Sequence, residues 1–165
     1  MPTCSPRCSR RTEAALRIGL VSDTHDLLRP EVLDWLRGSD HILHAGDICG
    51  EAVLQELARI APLTAVRGNN DRGAWAGCLR EREIVRLGGA TILVVHDIAD
   101  LRRAPPPADV AAVITGHSHK PLVDERDGVL YVNPGSAGPR RFKLPISAGE
   151  LIVEQGRVAA RLMPF

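Results

Sequence analysis

Gly19-Leu20-Val21-Ser22-Asp23-Thr24-His25 decides the fold, because a short apolar run gives way there to a carboxylate and then an imidazole. A run of Leu and Val this short reads as a buried strand, so Asp23 and His25 fall on the turn where the strand leaves its sheet. The arrangement recurs in Ile42-Leu43-His44-Ala45-Gly46-Asp47, Ala65-Val66-Arg67-Gly68-Asn69-Asn70-Asp71, Ile92-Leu93-Val94-Val95-His96-Asp97 and Val113-Ile114-Thr115-Gly116-His117-Ser118-His119. Open α/β sheets bind ligands outside the carboxyl ends of their strands, where loops from distant parts of the chain converge. The recurrence predicts one polar site built at strand ends.

Working outward, strand 17–21 leads to a helix over 30–37, where Pro30 suits the first turn and Gly38 the stop. Strand 41–44, a helix over 51–60 closed by Pro62, and strand 63–66 complete a βαβαβ opening with parallel strands and right-handed crossovers. The pattern then changes. Residues 83–87 and 91–95 around Gly88-Gly89 read as a hairpin, and strand 110–115 follows the Pro105-Pro106-Pro107 loop. Beyond His119 the chain reads as antiparallel: 122–125 and 129–132 around Asp127-Gly128, then 150–154 and 157–162 around Gln155-Gly156. The expected fold class is α/β, two mixed β-sheets packed as a sandwich and flanked by helices, without internal repeats.

At 165 residues the chain is one domain by length, read as a flexible tail over 1–15 and a domain over 16–165. With 21 basic and 20 acidic residues the net charge is +1, so no nucleic-acid backbone or anionic membrane is expected as partner. Cys4, Cys8, Cys49 and Cys78 show no paired C-x-x-C units and read as free thiols. The longest apolar stretches are strand-sized and the Ser/Arg-rich start has no apolar core, so the expected location is the cytoplasm.

Asp23 and His25, two residues apart on a turn, can both reach one ion, and His117 and His119 repeat the spacing. Asp23, His25, Asp47, Asn69, His96, His117 and His119 make seven donors, more than one tetrahedral zinc takes and enough for two ions sharing a carboxylate. His44, three residues before Asp47, reads as a buried supporting histidine, and His41 as a surface one.

In this order, Asp23-x-His25, Gly46-Asp47, Gly68-Asn69, His96 and Gly116-His117-x-His119 resemble the five blocks of the calcineurin-like metallophosphoesterases. Asn133-Pro134-Gly135-Ser136 with Pro139-Arg140 extends the likeness to the small bacterial and archaeal phosphodiesterases of the YfcE type. The resemblance implies a four-layer sandwich in which Asp23, His25, Asp47 and His119 hold one ion, Asp47, Asn69, His96 and His117 hold another, and Asp47 bridges. It also implies attack on phosphorus by a water that the two ions activate. The catalytic set is Asp47, Asn69, Asn70 and Asp71, with Asn70, Arg72, Asn133, Ser136 and Arg140 facing the substrate. Asp26, Asn70, Asp97 and Ile98 depart from the family pattern, Asn70 standing where relatives carry a histidine that serves the leaving group. An amide cannot protonate an alkoxide as an imidazolium can.

The expected activity is therefore metal-dependent hydrolysis of a small-molecule phosphate ester, a diester in preference to a monoester. Two divalent ions are the expected cofactors, manganese first, with iron, zinc or nickel as alternatives. A different class of reading is a non-catalytic protein-binding scaffold, similar to the metallophosphoesterase-like subunit of retromer. The oligomeric state is open, a homo-oligomer included.

Overall fold

The computed structural model describes residues 14–165. Cys4, Cys8 and most of the expected tail lie outside the described residues. Among the described residues, ten strands form two five-stranded sheets. The first holds β1 (Leu16–Val21), β2 (His41–His44), β3 (Leu63–Ala65), β9 (Ser147–Glu154) and β10 (Arg157–Pro164) in the order β10-β9-β1-β2-β3. The second holds β4 (Arg82–Leu87), β5 (Ala90–Val95), β6 (Val110–Ile114), β7 (Leu122–Arg126) and β8 (Val129–Asn133) in the order β4-β5-β6-β8-β7.

Side-chain alternation sets the layers, since successive residues of a strand point to opposite faces. Ile18, Leu20, Leu43, Leu151 and Val153 meet Ile92, Val94, Ala112, Ile114 and Val132 between the sheets. The other face of the first sheet, with Val21 and Ile42, packs on Val32 and Leu36 of α1 (Pro30–Leu36) and Val53 and Leu57 of α2 (Glu51–Ala58). Both faces are covered, which is why these strands read as unbroken apolar runs. The second sheet's outer face is lighter: Leu93, Val95, Val110 and Val113 are covered by Leu101 of a 3-10 turn, Ile98–Arg102, and by Val129 and Tyr131.

Elements came within a few residues of expectation, and the differences are at ends. α1 stops at Leu36 because Arg37 is already extended, and α2 stops at Ala58 with a looser turn through Ile60 and Ala61. The 3-10 turns Trp75–Cys78 and Ile98–Arg102 had no apolar periodicity to announce them. One expectation is corrected. Beyond His119 the chain is antiparallel only locally, in β7·β8 and β9·β10, because β8 returns parallel to β6 and β9 crosses to the other sheet to pair antiparallel with β1.

The consequence is positional. β1, β2 and β3 run parallel in one sheet and β5, β6 and β8 in the other, so their carboxyl ends lie along one edge of the sandwich. Leu20→Ala, inside the sheet–sheet core, is expected to cost about 2–5 kcal/mol, whereas Phe142→Ala, at a side chain 93% exposed, stays within about 0.5 kcal/mol. Denaturant unfolding of both variants checks this, and equal losses would contradict the layer assignment.

Candidate metal centre

Five of the donors sit on backbone that only a strongly constrained loop sustains. Asp23, His25, Asp47, His117 and His119 all have φ between 45° and 66°, the left-handed region that non-glycine residues seldom occupy. The loops are nevertheless fixed: Asp23 and His25 donate their N–H groups to the Gly46 and Asp47 carbonyls, both at 3.0 Å, and Gly116 donates to the His96 carbonyl at 2.9 Å. Left-handed residues two apart turn the loops after β1 and β6, bringing Asp23 and His25, and His117 and His119, to the same site. The glycine before Asn69 serves close approach, since a Cβ on Gly68 would lie 2.2 Å from the Asp47 amide nitrogen.

The donors converge. His119 Nε2 lies 3.2 Å from Asp23 Oδ1 and 3.4 Å from His25 Nε2, and the two rings stack. Asp47 stands between two sets of partners, with Oδ2 3.8 Å from His25 Nε2 and Oδ1 3.4 Å from His96 Nε2. Asn69 Oδ1 lies 3.0 Å from both His96 Nε2 and His117 Nδ1. Ligand atoms of Asp23, His25 and His119 are all within 4.8 Å of one another, and so are those of Asp23, Asp47 and His96.

Do these residues fit a metal? Asp23 Oδ1 is fully buried and accepts no hydrogen bond, although two imidazole nitrogens face it. A buried carboxylate oxygen without a donor is costly unless a cation meets it. Two carboxylates, four imidazoles and an amide oxygen make a mixed N/O set, which suits manganese, iron, zinc or nickel better than the all-oxygen shells of calcium. The donor set fits.

Electrostatics agree. Burial would raise the Asp47 carboxyl, but hydrogen bonds from His96 and from the backbone and side chain of Asn70 outweigh it and hold Asp47 well below the usual carboxylate range. Burial lowers His25 against the pull of Asp47 and Asp23, which keeps its ring neutral and able to ligate. At His96 burial also lowers, yet Asp47 and the Ala45 carbonyl prevail and the net shift is upward. Its Nδ1 donates to Ala45 O at 2.6 Å, so a proton on Nε2 occupies the place where a cation would meet the same acceptors.

The remaining expected residues fall into place around the donors. Asn70 donates from its backbone to Asp47 Oδ1 at 2.8 Å and from Nδ2 to Oδ2 at 2.6 Å, clamping that carboxylate. Asp71 accepts from the Gly68 and Cys49 amides, both at 2.7 Å, and so pins the loop that carries Asn69. Asn133 donates to Gly116 O and Ser118 Oγ and accepts from Gly135 N, while Ser136 donates to Asp23 O. These two were expected to face substrate; both are buried, with their polar groups engaged by loop backbone, and they act as props for Asp23 and the His117–His119 turn. Arg72 and Arg140 are exposed, and no side-chain hydrogen bond joins either to the donors among the described residues. The cation that approaches is Arg141, whose guanidinium lies 3.5 Å from His25 Nε2. Two adjacent arginines in a Gly/Pro loop give the sequence no means of choosing between them.

His44 is the buried support expected of it. Its Nδ1 accepts from the Gly46 amide at 3.2 Å, which places the proton on Nε2, 3.0 Å from Thr24 Oγ1. His41 is half-buried rather than on the surface, with Nε2 2.9 Å from Thr64 Oγ1.

Two sheets whose strand ends deliver these blocks in this order define a metallophosphoesterase. The sequence matches the profile of the calcineurin-like phosphoesterase superfamily domain over residues 16–156, and the chain belongs to that family, which works with divalent metals. A probable metallophosphoesterase of Methanocaldococcus jannaschii is 30% identical over 161 residues, covering 90% of this chain and 81% of its own. A protein named as a phosphodiesterase from the same archaeon is 28% identical over 139 residues, covering 73% and 83%. Among solved structures, Vacuolar Protein Sorting 29 from Cryptosporidium parvum superposes with a TM-score of 0.75 at 20% identity, covering 92% of this chain and 98% of that one. A structure described as a novel archaeal phosphodiesterase gives 0.74 at 23%, covering 90% and 100%. The two structures share the fold. No helix among the described residues is long and apolar enough to cross a membrane.

A pH measurement tests the buried histidine. Burial, the leading cause, lowers His44 from 6.5 to about 3, so the unfolded chain takes up the proton first as the pH falls. Stability is then lost below pH 6.5, at up to about 1.4 kcal/mol per pH unit. Between pH 7 and 5 the wild type should lose about 2 kcal/mol more than His44→Asn, which has no titrating ring. Parallel slopes in denaturant unfolding would show that the native ring takes up a proton as easily as the unfolded one.

Proposed function

We propose that this chain is a phosphodiesterase acting on small-molecule phosphate esters with two divalent ions, manganese foremost. The observation that carries the reading is the buried convergence of Asp23 and Asp47 with His25, His96 and His119, in which Asp23 Oδ1 has no donor of its own. In this reading Asp23, His25, Asp47 and His119 would hold one ion, and Asp47, Asn69, His96 and His117 would hold the other. The opposed directions of the Asp47 oxygens, one toward His25 and one toward His96, support its role as the bridge. When bound, the two ions supply a water nucleophile of lowered pKa and positive charge for the phosphoryl oxygens.

The protein's own groups orient and neutralise. Asn70 fixes the Asp47 carboxylate, Asp71 fixes the Asn69 loop, and Arg141 offers a guanidinium to phosphate charge on the His25 side. Asn70 gives the leaving oxygen no proton, so departure depends on how well that oxygen bears charge. A preference for diesters follows from the far side of the site, where Asp97 and Asp100 line the cavity against His117. A monoester dianion brings one more negative charge to that wall than a diester does. The relative named as a phosphodiesterase supports the same choice.

Chelated protein is expected to be inactive on bis(4-nitrophenyl) phosphate and to recover with manganese. Asp47→Asn should lose metal from both positions together with turnover. Two retained equivalents and full activity in that variant would overturn the assignment. The likeness to Vacuolar Protein Sorting 29 favours a second reading, a protein-binding scaffold. Absence of hydrolysis with manganese, iron, zinc and nickel alike would select it.

The leaving-group dependence gives a separate test. Across substituted phenyl diesters the wild type should show a steep slope, because general-acid help of about 10²–10⁴ is missing. Asn70→His should flatten it, and unchanged slopes would place Asn70 away from the departing oxygen.

A further inference from the structure

Two cavities open on either side of a ridge formed by Asp97 and His117. One, of about 280 Å³, is walled by charge, with Arg67, Glu81 and Asp100 among its lining residues. The other, of about 300 Å³, is walled mainly by Ile98, Pro121 and Leu122, with Lys120 on its lining and the buried Asn133 beneath. The ridge belongs to the donor cluster, since His117 Nδ1 lies 3.0 Å from Asn69 Oδ1 while the His117 side chain stays 47% exposed.

We propose that the apolar cavity beside His117 is the subsite for one ester arm of the substrate, and that this arm is an aryl or compact branched-alkyl group. The inference rests on the phosphodiesterase reading and narrows its substrate class. A phosphodiester carries two organic arms on one phosphorus, and a phosphate held at the ridge has a cavity on each side. The charged cavity is a poor host for an apolar arm, because covering Arg67, Glu81 and Asp100 would strip water from charges that the arm cannot satisfy. The second cavity also carries Asp97 and Lys120 on its lining, but most of its open surface is apolar and Lys120 is exposed to water, so an apolar arm covers less charge there. The Asn133 amide is already engaged by Gly116 O, Ser118 Oγ and Gly135 N, so it offers the cavity no unmet donor or acceptor. Its size lies at the lower end of the range for small-ligand sites, room for one ring and not for a long chain.

The walls are set before any ligand arrives. Asp97 Oδ1 accepts from the Ala99 amide at 2.9 Å and caps the 3-10 turn that begins at Ile98. Asn133 anchors the facing turn, and Leu122 opens β7 directly after Pro121. Ile98 and Leu122, 39% and 43% exposed, are among the few large apolar side chains left open to water. A preformed cleft binds without reorganisation, and covering exposed apolar walls favours an apolar arm.

The test is equilibrium binding of diphenyl phosphate and dimethyl phosphate to the manganese-loaded full chain, followed by calorimetry. Diphenyl phosphate should bind about tenfold tighter, the order of discrimination one apolar group earns in a fitted pocket. Ile98→Asp and Leu122→Asp should each bring that ratio toward one, whereas Val123→Asp, on the neighbouring β7 position outside the cavity, should keep it. A wild-type ratio near one, or a ratio that survives both cavity substitutions, overturns the inference, and the cavity then serves another occupant. Hydrolysis of diesters measured on the same protein separates the two levels: turnover without the binding ratio sinks the subsite alone, and the ratio without turnover sinks the hydrolytic reading alone.

Discussion

The contact on which the rest of the structure depends is the donation from His96 Nδ1 to the Ala45 carbonyl at 2.6 Å. It joins the carboxyl end of β5 in one sheet to that of β2 in the other. The apolar layer between the sheets supplies most of the cohesion, but burial is non-directional and would tolerate sliding of one sheet over the other. This short polar tie between strand ends opposes that sliding, together with the donation from His117 N to Asp23 Oδ2 at 3.1 Å. It sets His96 Nε2 against Asp47 Oδ1 and Asn69 Oδ1, and thereby aligns the donors of one sheet with those of the other.

The alignment is maintained against local preference. Five donors occupy left-handed backbone, two carboxylates lie buried, and one carboxylate oxygen has no hydrogen-bond donor. Each feature is unfavourable taken alone. The surroundings over-determine them: Asn70 clamps Asp47, Asp71 pins the Gly68 and Cys49 amides, and Ser136 and Asn133 hold the loops of Asp23 and His117 from beneath. A cation bound there would relieve much of the remaining repulsion between the donors and so stabilise the folded chain.

Much of this was legible in the sequence because the signal is repeated. A run such as Ile42–His44 followed by Gly46-Asp47 says little once, and its five occurrences specify parallel strands with a common polar edge. What was not legible depends on contacts far apart in the chain. Nothing local in Glu150–Glu154 says that β9 pairs with β1, since alternation fixes a face and not a partner. Asn70 reads as a residue facing substrate, and nothing local says that its amide also clamps Asp47. Asn133 and Ser136 lie in a turn whose polar residues look available, and only the packing of β8 against β6 buries them. Arg140 and Arg141 are equivalent on paper, and the path of the loop past His25 distinguishes them.

On the proposed reading Asp47 would lie between two cation positions at the strand ends. Anomalous diffraction from crystals grown with manganese tests it most directly. Two peaks should flank the Asp47 carboxylate, one on the side of Asp23, His25 and His119 and one on the side of Asn69, His96 and His117. A single peak, or two peaks that leave Asp47 uncoordinated, would contradict it.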